Sequence, residues 1–368
     1  MREVPFFNYP YLFESKKDKF VEIFKDVASR GAYILQKDLT QFELNLANYC
    51  NTKYAIGVAN GTDAIWLALE AAGIGEGDEV ILSSHTYIAT AGAVAFVNAT
   101  PVPVECKDDW MIDPVAVEGA ITAKTKAILP TQVNGRCCDM DALRGIAEKY
   151  DLIIIEDAAQ ALGARYNGEF AGTMGLAGTI SFYPAKTLGS FGDAGAILTN
   201  DKELYDKMRF ARDHGRNDDG EFIMWGYNSR MDNLQAAILN YKLTYYDDEI
   251  ARRRELASLY NDELCDVSQI KLPQKPDANI KYFDVYQNYE IRAEKRTQLR
   301  EYLKENGIGT LIQWSGQPVH TLEKLGFNNI SLPFTDDFFE GCFMLPLNTS
   351  LSNEDVLYVC KKIKEFYK

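Results

Sequence analysis

A mostly parallel central sheet with helices on both faces, followed by a smaller C-terminal α+β domain, is the fold this sequence predicts. Three observations carry it. From about residue 54 short apolar runs alternate with stretches of helical periodicity, the pattern of parallel strands buried on both faces. The 368 residues, 46% of them apolar, are too many for one simple core and ample for two. Neither an internal repeat nor a low-complexity linker interrupts the chain, so the expected domains, 1–243 with an N-terminal arm and 244–368, pack against each other.

The strands expected are Tyr54–Gly57, Glu79–Leu82, Thr100–Val104, Ala127–Leu129, Leu152–Ile155, Thr179–Phe182 and Ala194–Thr199, each a short apolar run. A helix opens at Gly61 after the turn Ala59-Asn60. Asp139–Lys149 and Asp201–Asp213 follow as helices, the second with Asn200 as its N-cap. Residues 231–264 read as helical and carry the chain out of the sheet. The smaller domain then holds a strand over Asn288–Arg292, a helix over Glu294–Asn306 and a last helix over Asn353–Lys368, with Asn353-Glu-Asp as its cap.

Charge and cysteine usage narrow the class. Thirty-nine basic against 53 acidic residues leave a net charge of -14, which argues against holding nucleic acid or an anionic membrane by bulk electrostatics. Any phosphate has to be caught locally. Seven cysteines, two of them adjacent at Cys137-Cys138, contain no Cys-x-x-Cys pair, so the expectation is reduced thiols without structural zinc. The start, Met1-Arg-Glu-Val-Pro, lacks the pattern of a signal peptide. No run approaches the roughly 20 apolar residues of a spanning helix. The expectation is a cytoplasmic protein.

The chemistry centres on Lys186, in Ser181-Phe-Tyr-Pro-Ala-Lys186-Thr-Leu-Gly-Ser-Phe-Gly-Asp193-Ala-Gly195, where an apolar strand runs into a loop of small residues. A lysine there is ordinarily solvated, yet a strand end opening into small residues is also where an amine can reach the aldehyde of pyridoxal phosphate and form a Schiff base. Asp157 decides for the second reading. It leaves the carboxyl end of Asp151-Leu-Ile-Ile-Ile-Glu-Asp157, where open α/β sheets bind ligands, and a carboxylate beside the pyridine nitrogen keeps that ring an electron acceptor. The competing role for Asp157 is the N-cap of a helix. Gln160 is placed to contact the ring, and Glu156, facing the other way along the strand, is structural. Gly61, Thr62 and Asp63 form the first turn of a helix, whose free N–H groups bind phosphate. Ser181 is a second candidate phosphate ligand.

The motifs Asn60-Gly-Thr-Asp-Ala, Ser84-His-Thr-Tyr-Ile-Ala-Thr90, Glu156-Asp-Ala-Ala-Gln-Ala, Ser181-Phe-Tyr-Pro-Ala-Lys186, Gly192-Asp-Ala-Gly195 and Gly226-Tyr-Asn228-Ser-Arg230-Met-Asp-Asn-Leu-Gln-Ala-Ala237 together resemble the sugar aminotransferases of the DegT/DnrJ/EryC1/StrS family. These are fold-type I pyridoxal-phosphate enzymes that aminate keto-sugars carried on nucleotides. The resemblance implies that Lys186 is the Schiff-base lysine, Asp157 the pyridinium partner, Gln160 a ring contact, and Thr62 and Ser181 phosphate ligands. It makes Tyr87 an aromatic that stacks on the ring. It makes Asn228 a phosphate ligand donated by the other subunit of a homodimer, with Arg230 reaching the same partner site. His320 falls in a loop that approaches the sugar, and His85 lies near the cofactor end. His214 is read as a helix C-cap. L-glutamate is the implied amino donor, and amination at C3 is favoured over C4. Two departures stand out: Thr187, where the family commonly has Asn, and Gln132-Val-Asn134-Gly135, where it commonly has His-Leu-Tyr-Gly.

Rival readings differ at named features. A pyridoxal-phosphate sugar dehydratase typically has histidine in place of the lysine kept here as Lys186. A cofactor-sensing regulatory protein would need a DNA-binding module or a basic face, and the sequence has neither. A cyclitol-ketone aminotransferase would share the catalytic motifs. The three histidines contain no pair at ligand spacing, so no metal is expected.

Overall fold

The alternation of apolar runs and helical stretches builds a layered sheet in the computed structural model, which describes residues 2–368. Three helices come first: α1 (Tyr9–Glu14), α2 (Lys17–Ser29) and α3 (Lys37–Tyr49). The sheet follows as β1 (Tyr54–Val58), α4 (Gly61–Ala71), β2 (Glu79–Ser83), α5 (Ile88–Phe96), β3 (Thr100–Val104), α6 (Pro114–Gly119), β4 (Thr125–Leu129), α7 (Met140–Tyr150) and β5 (Ile153–Asp157). Short β6 (Arg165–Tyr166) and β7 (Glu169–Phe170) precede β8 (Ala177–Ser181), β9 (Gly195–Thr199) and α8 (Lys202–Ala211). Then α9 (Asn233–Leu243) and α10 (Tyr246–Leu264) lead to β10 (Ile270–Lys271), β11 (Tyr282–Phe283), β12 (Tyr289–Ala293), α11 (Arg296–Glu305), α12 (Pro333–Gly341), β13 (Cys342–Leu345) and α13 (Asn353–Phe366).

The seven-stranded sheet runs β1-β9-β8-β5-β4-β2-β3. Only β9 is antiparallel to its neighbours, β1 and β8. Successive residues of a strand point to opposite faces, and the packing follows that rule. Ile81, Ile128, Ile154, Ile180 and Leu198 belong to one buried cluster, whereas Leu82, Leu129, Ile155 and Ile197 belong to the other. The carboxyl ends of β1, β4, β5 and β8 therefore meet the start of β9 along one edge, and the loop from β8 to β9 carries Lys186. A smaller antiparallel sheet, β10-β12-β13, packs with α10, α11 and α13 around a third cluster that Val4 joins from the N-terminal arm. No helix among the described residues is long and apolar enough to cross a membrane.

Some element ends differ from the sequence expectation. Asp201, not Asn200, caps α8, because its carboxylate accepts the Leu204 N–H at 2.9 Å. Asn200 instead accepts from the Lys53 N–H at 2.9 Å and fastens the end of β9 to β1. His214 caps no helix: α8 ends at Ala211, and His214, at φ 62°, donates its N–H to the Tyr227 carbonyl. Ser352, not Asn353, opens α13 in a reciprocal capping box with Asp355. The helical run of 231–264 breaks at Thr244–Tyr245 into α9 and α10.

Candidate active site

At the end of β1 the chain turns into α4 through Asn60, an extended N-cap whose side chain accepts the Asp63 N–H at 2.8 Å. The N–H groups of the first turn have no partner inside the helix, and its dipole is positive there. Glycine is needed at 61, because a Cβ would come within 2.8 Å of the Ser181 Cβ. It is needed again at 195, where a Cβ would come within 2.4 Å of the Asn60 carbonyl group. The ends of β1, β8 and β9 are thus pressed together, and Thr62 and Ser181 share one wall of a cavity of about 630 Å³.

Lys186 and Asp157 face the same cavity. Burial pushes the Lys186 amine down to about 8, and the charge of Asp157 only partly opposes this. No carboxylate lies within 4.0 Å of that amine among the described residues, so it is free to react. Asp157 is 4% exposed. Burial raises its carboxyl, while hydrogen bonds from Thr90 Oγ1 at 2.7 Å and the Ala159 N–H at 3.2 Å hold it down. Turns, and no helix, follow Asp157, so the capping role weighed against its chemistry is not available to it.

Thr90 went unnoticed in the sequence as a partner of Asp157. A carboxylate only accepts, so Thr90 donates to Asp157. Thr86 must then donate to Thr90 and Thr131 to Thr86, each at 2.7 Å. The spacing of Thr86 and Thr90 across the start of α5 was the available signal. Thr131 could not have been found, since it arrives from β4.

Glu156 points away, as expected. It is fully buried and accepts from Gln132 at 2.7 Å and from the N–H groups of Gly172, Met174 and Gly175 at 2.9, 2.6 and 2.9 Å.

Gly61, Thr62, Tyr87, Gln160 and Ser181 line the lysine cavity, and so do Tyr183, Asp193 and Trp314, which the sequence did not single out. Tyr87 is 54% exposed at the mouth. His85 and His320 do not line it. The His85 ring is buried, donates from Nδ1 to the Trp110 carbonyl at 2.8 Å and packs against Trp314, Phe338 and Phe339. His320 is buried between Ser84 Oγ at 2.7 Å and Asp336 at 3.1 Å. Both rings are committed to holding loops. Arg230 is paired with Asp213 at 2.9 Å. Asn228 is exposed, outside this chain's own cavity, on a hairpin that also exposes Phe222, Ile223 and Trp225.

The donor set fits pyridoxal phosphate: a helix start for a dianion, a desolvated amine and a buried carboxylate on one cavity. Comparison with known proteins agrees. Residues 14–364 match the model of the DegT/DnrJ/EryC1/StrS aminotransferase family. The chain is 40% identical over 368 residues to a dTDP-3-amino-3,4,6-trideoxy-alpha-D-glucose transaminase of Streptomyces venezuelae, covering 99% of this chain and 96% of the relative. It is 39% identical to a pleiotropic regulatory protein of Geobacillus stearothermophilus, over 99% of both. Among solved structures, S. venezuelae DesV in complex with a ketimine intermediate superposes with a TM-score of 0.95 at 39% identity, covering 100% of this chain and 99% of that one.

Proposed function

The chain belongs to the DegT/DnrJ/EryC1/StrS aminotransferase family, and from that premise we propose that it moves an amino group from L-glutamate to C3 of a nucleotide-linked keto-deoxysugar, with pyridoxal 5'-phosphate as cofactor. The observation that carries the reading is the pair Lys186 and Asp157 on one cavity. Bound cofactor supplies an electron sink for the carbon that loses its proton. The remaining tasks fall to this chain. Asp157 keeps the pyridine nitrogen protonated, with the Thr90 hydrogen bond favouring its charged form against burial. The first turn of α4, with Thr62 and Ser181, holds the phosphate, and Tyr87 covers the ring. An amine lowered to about 8 can take and return a proton near neutral pH, so Lys186 serves as both anchor and proton carrier.

Exposure of Asn228 beside Trp225, which is 97% exposed, supports a homodimer in which Asn228 and Arg230 complete the partner's cavity. Amination at C3 is supported by the trideoxyglucose transaminase relative. The test is to incubate loaded enzyme and glutamate with dTDP-, UDP- and GDP-linked 3-keto and 4-keto sugars and identify products by mass spectrometry. Amination of a 3-keto sugar is the expected result; amination of none of the panel would overturn the substrate class and leave the cyclitol-ketone aminotransferase in its place.

A further inference from the structure

Asn134 stands on the turn between β4 and α7 at φ 58°, a left-handed conformation that asparagine accepts more readily than most residues. Its N–H donates to Gln160 Oε1 at 2.8 Å. A backbone N–H cannot accept, so the Gln160 carboxamide must turn its oxygen to Asn134 and its Nε2 the other way. There Nε2 meets only Gln313 Oε1, at 3.4 Å, and Gln160 lines the lysine cavity.

The turn itself is clamped. Asn134 Nδ2 donates to Glu290 Oε2 at 2.7 Å, while its Oδ1 accepts from Gln313 Nε2 at 2.6 Å and Asn288 Nδ2 at 2.9 Å. Glu290 is 1% exposed and sits on β12 of the C-terminal sheet. A carboxylate there forces the Asn134 amide nitrogen toward it, and every amide in the chain of contacts then has one orientation. Asn134 belongs to the segment at which the sequence departs from its family's usual His-Leu-Tyr-Gly.

We propose that Asn134 and Glu290 are positioning residues that hold Gln160 as a hydrogen-bond donor toward the phenolic oxygen of the cofactor, an inference that rests on the pyridoxal-phosphate reading above. A donor at that oxygen stabilises its anion. Losing the donor keeps a proton between the phenolic oxygen and the Lys186 nitrogen to higher pH.

The readout is the pH midpoint of the visible absorption band of cofactor-loaded protein, measured beside the melting temperature. Gln160→Ala sets the full effect, a rise of about one pH unit, the size of one hydrogen bond to a charged oxygen. Asn134→Gly keeps the left-handed turn and the N–H but removes the clamp. Glu290→Gln keeps the shape and frees the amides to flip. Both variants are expected to raise the midpoint part of the way. Midpoints equal to wild type in Asn134→Gly and Glu290→Gln, while Gln160→Ala shifts, would overturn the positioning role; no shift in Gln160→Ala would overturn the donor itself. A wild-type protein without a Lys186-dependent band would defeat the cofactor reading instead, and so the two failures are distinguishable.

Discussion

Adjacent carboxylates at the end of β5 do opposite work because neighbouring residues of a strand face opposite sides. Glu156 ties down three backbone N–H groups of the 172–175 loop. Removing it in Glu156→Ala leaves those donors buried and unpaired, and unfolding free energy should fall by about 3 kcal/mol or more in denaturant melts. Asp157→Asn should bind cofactor and melt near wild type, yet lose several orders of magnitude in turnover, because an amide cannot hold the pyridine nitrogen protonated. Near-normal turnover would show that Asp157 has no such task. Lys186 makes a prediction about the protein without cofactor. Its amine titrates at about 8 when folded, below the ordinary 10.5, so the unfolded chain binds more protons between those values and stability rises with pH across that window. Against Lys186→Met, whose side chain carries no charge, wild type should melt lower below pH 8 and draw level toward pH 10.5. A gap that is constant with pH would contradict the lowered value.

At the scale of elements, the proposed phosphate end depends on how closely β9 approaches α4. Gly195→Ala would drive a Cβ into the Asn60 carbonyl and displace the first turn of the helix. Cofactor binding should weaken about tenfold or more, the effect of roughly 1.4 kcal/mol of misplacement. Gly145, exposed within α7 with open space around it, is the control: alanine there should stabilise by up to about 1 kcal/mol. Fluorescence titration with cofactor, alongside melts, separates the two. We also propose a division of the chain at 243/244, where α9 gives way to α10; Tyr246 and Ile250 of α10 still pack in the large-sheet cluster, and from Leu256 onward the helix packs in the C-terminal one.

For the whole molecule, the hairpin carrying Asn228 projects Phe222 and Trp225 into solvent, at 73% and 97% exposure. Apolar side chains presented together in this way mark a surface that another molecule covers. If a second copy covers it, mixing Lys186→Ala with Asn228→Ala should yield heterodimers with one intact site and restore activity that neither parent shows. The experiment presupposes that Asn228→Ala alone is crippled. With subunit exchange demonstrated, absence of restored activity would mean that the sites are not shared.

Much of this protein was legible in its sequence because the relevant signals are local. Period and length of the apolar runs specify strands and helices, and the residue at a strand's carboxyl end is brought to the ligand edge wherever that strand sits in the sheet. That is why Lys186, Asp157, Ser181 and the Asn60-Gly61-Thr62 turn could be placed on one cavity. What only the tertiary structure decided are contacts between segments distant in the chain. Thr131 lies beside Asp157 because β4 and β5 are neighbours, while Thr90 reaches the same carboxylate from α5. Trp314 enters the cavity wall, while His85 and His320 are buried behind it. Asn134 meets Gln160 because β4 and β5 are neighbours, and Glu290 because the small sheet packs on that side. Such partners follow from strand order and from where returning loops come to rest, which no local periodicity encodes.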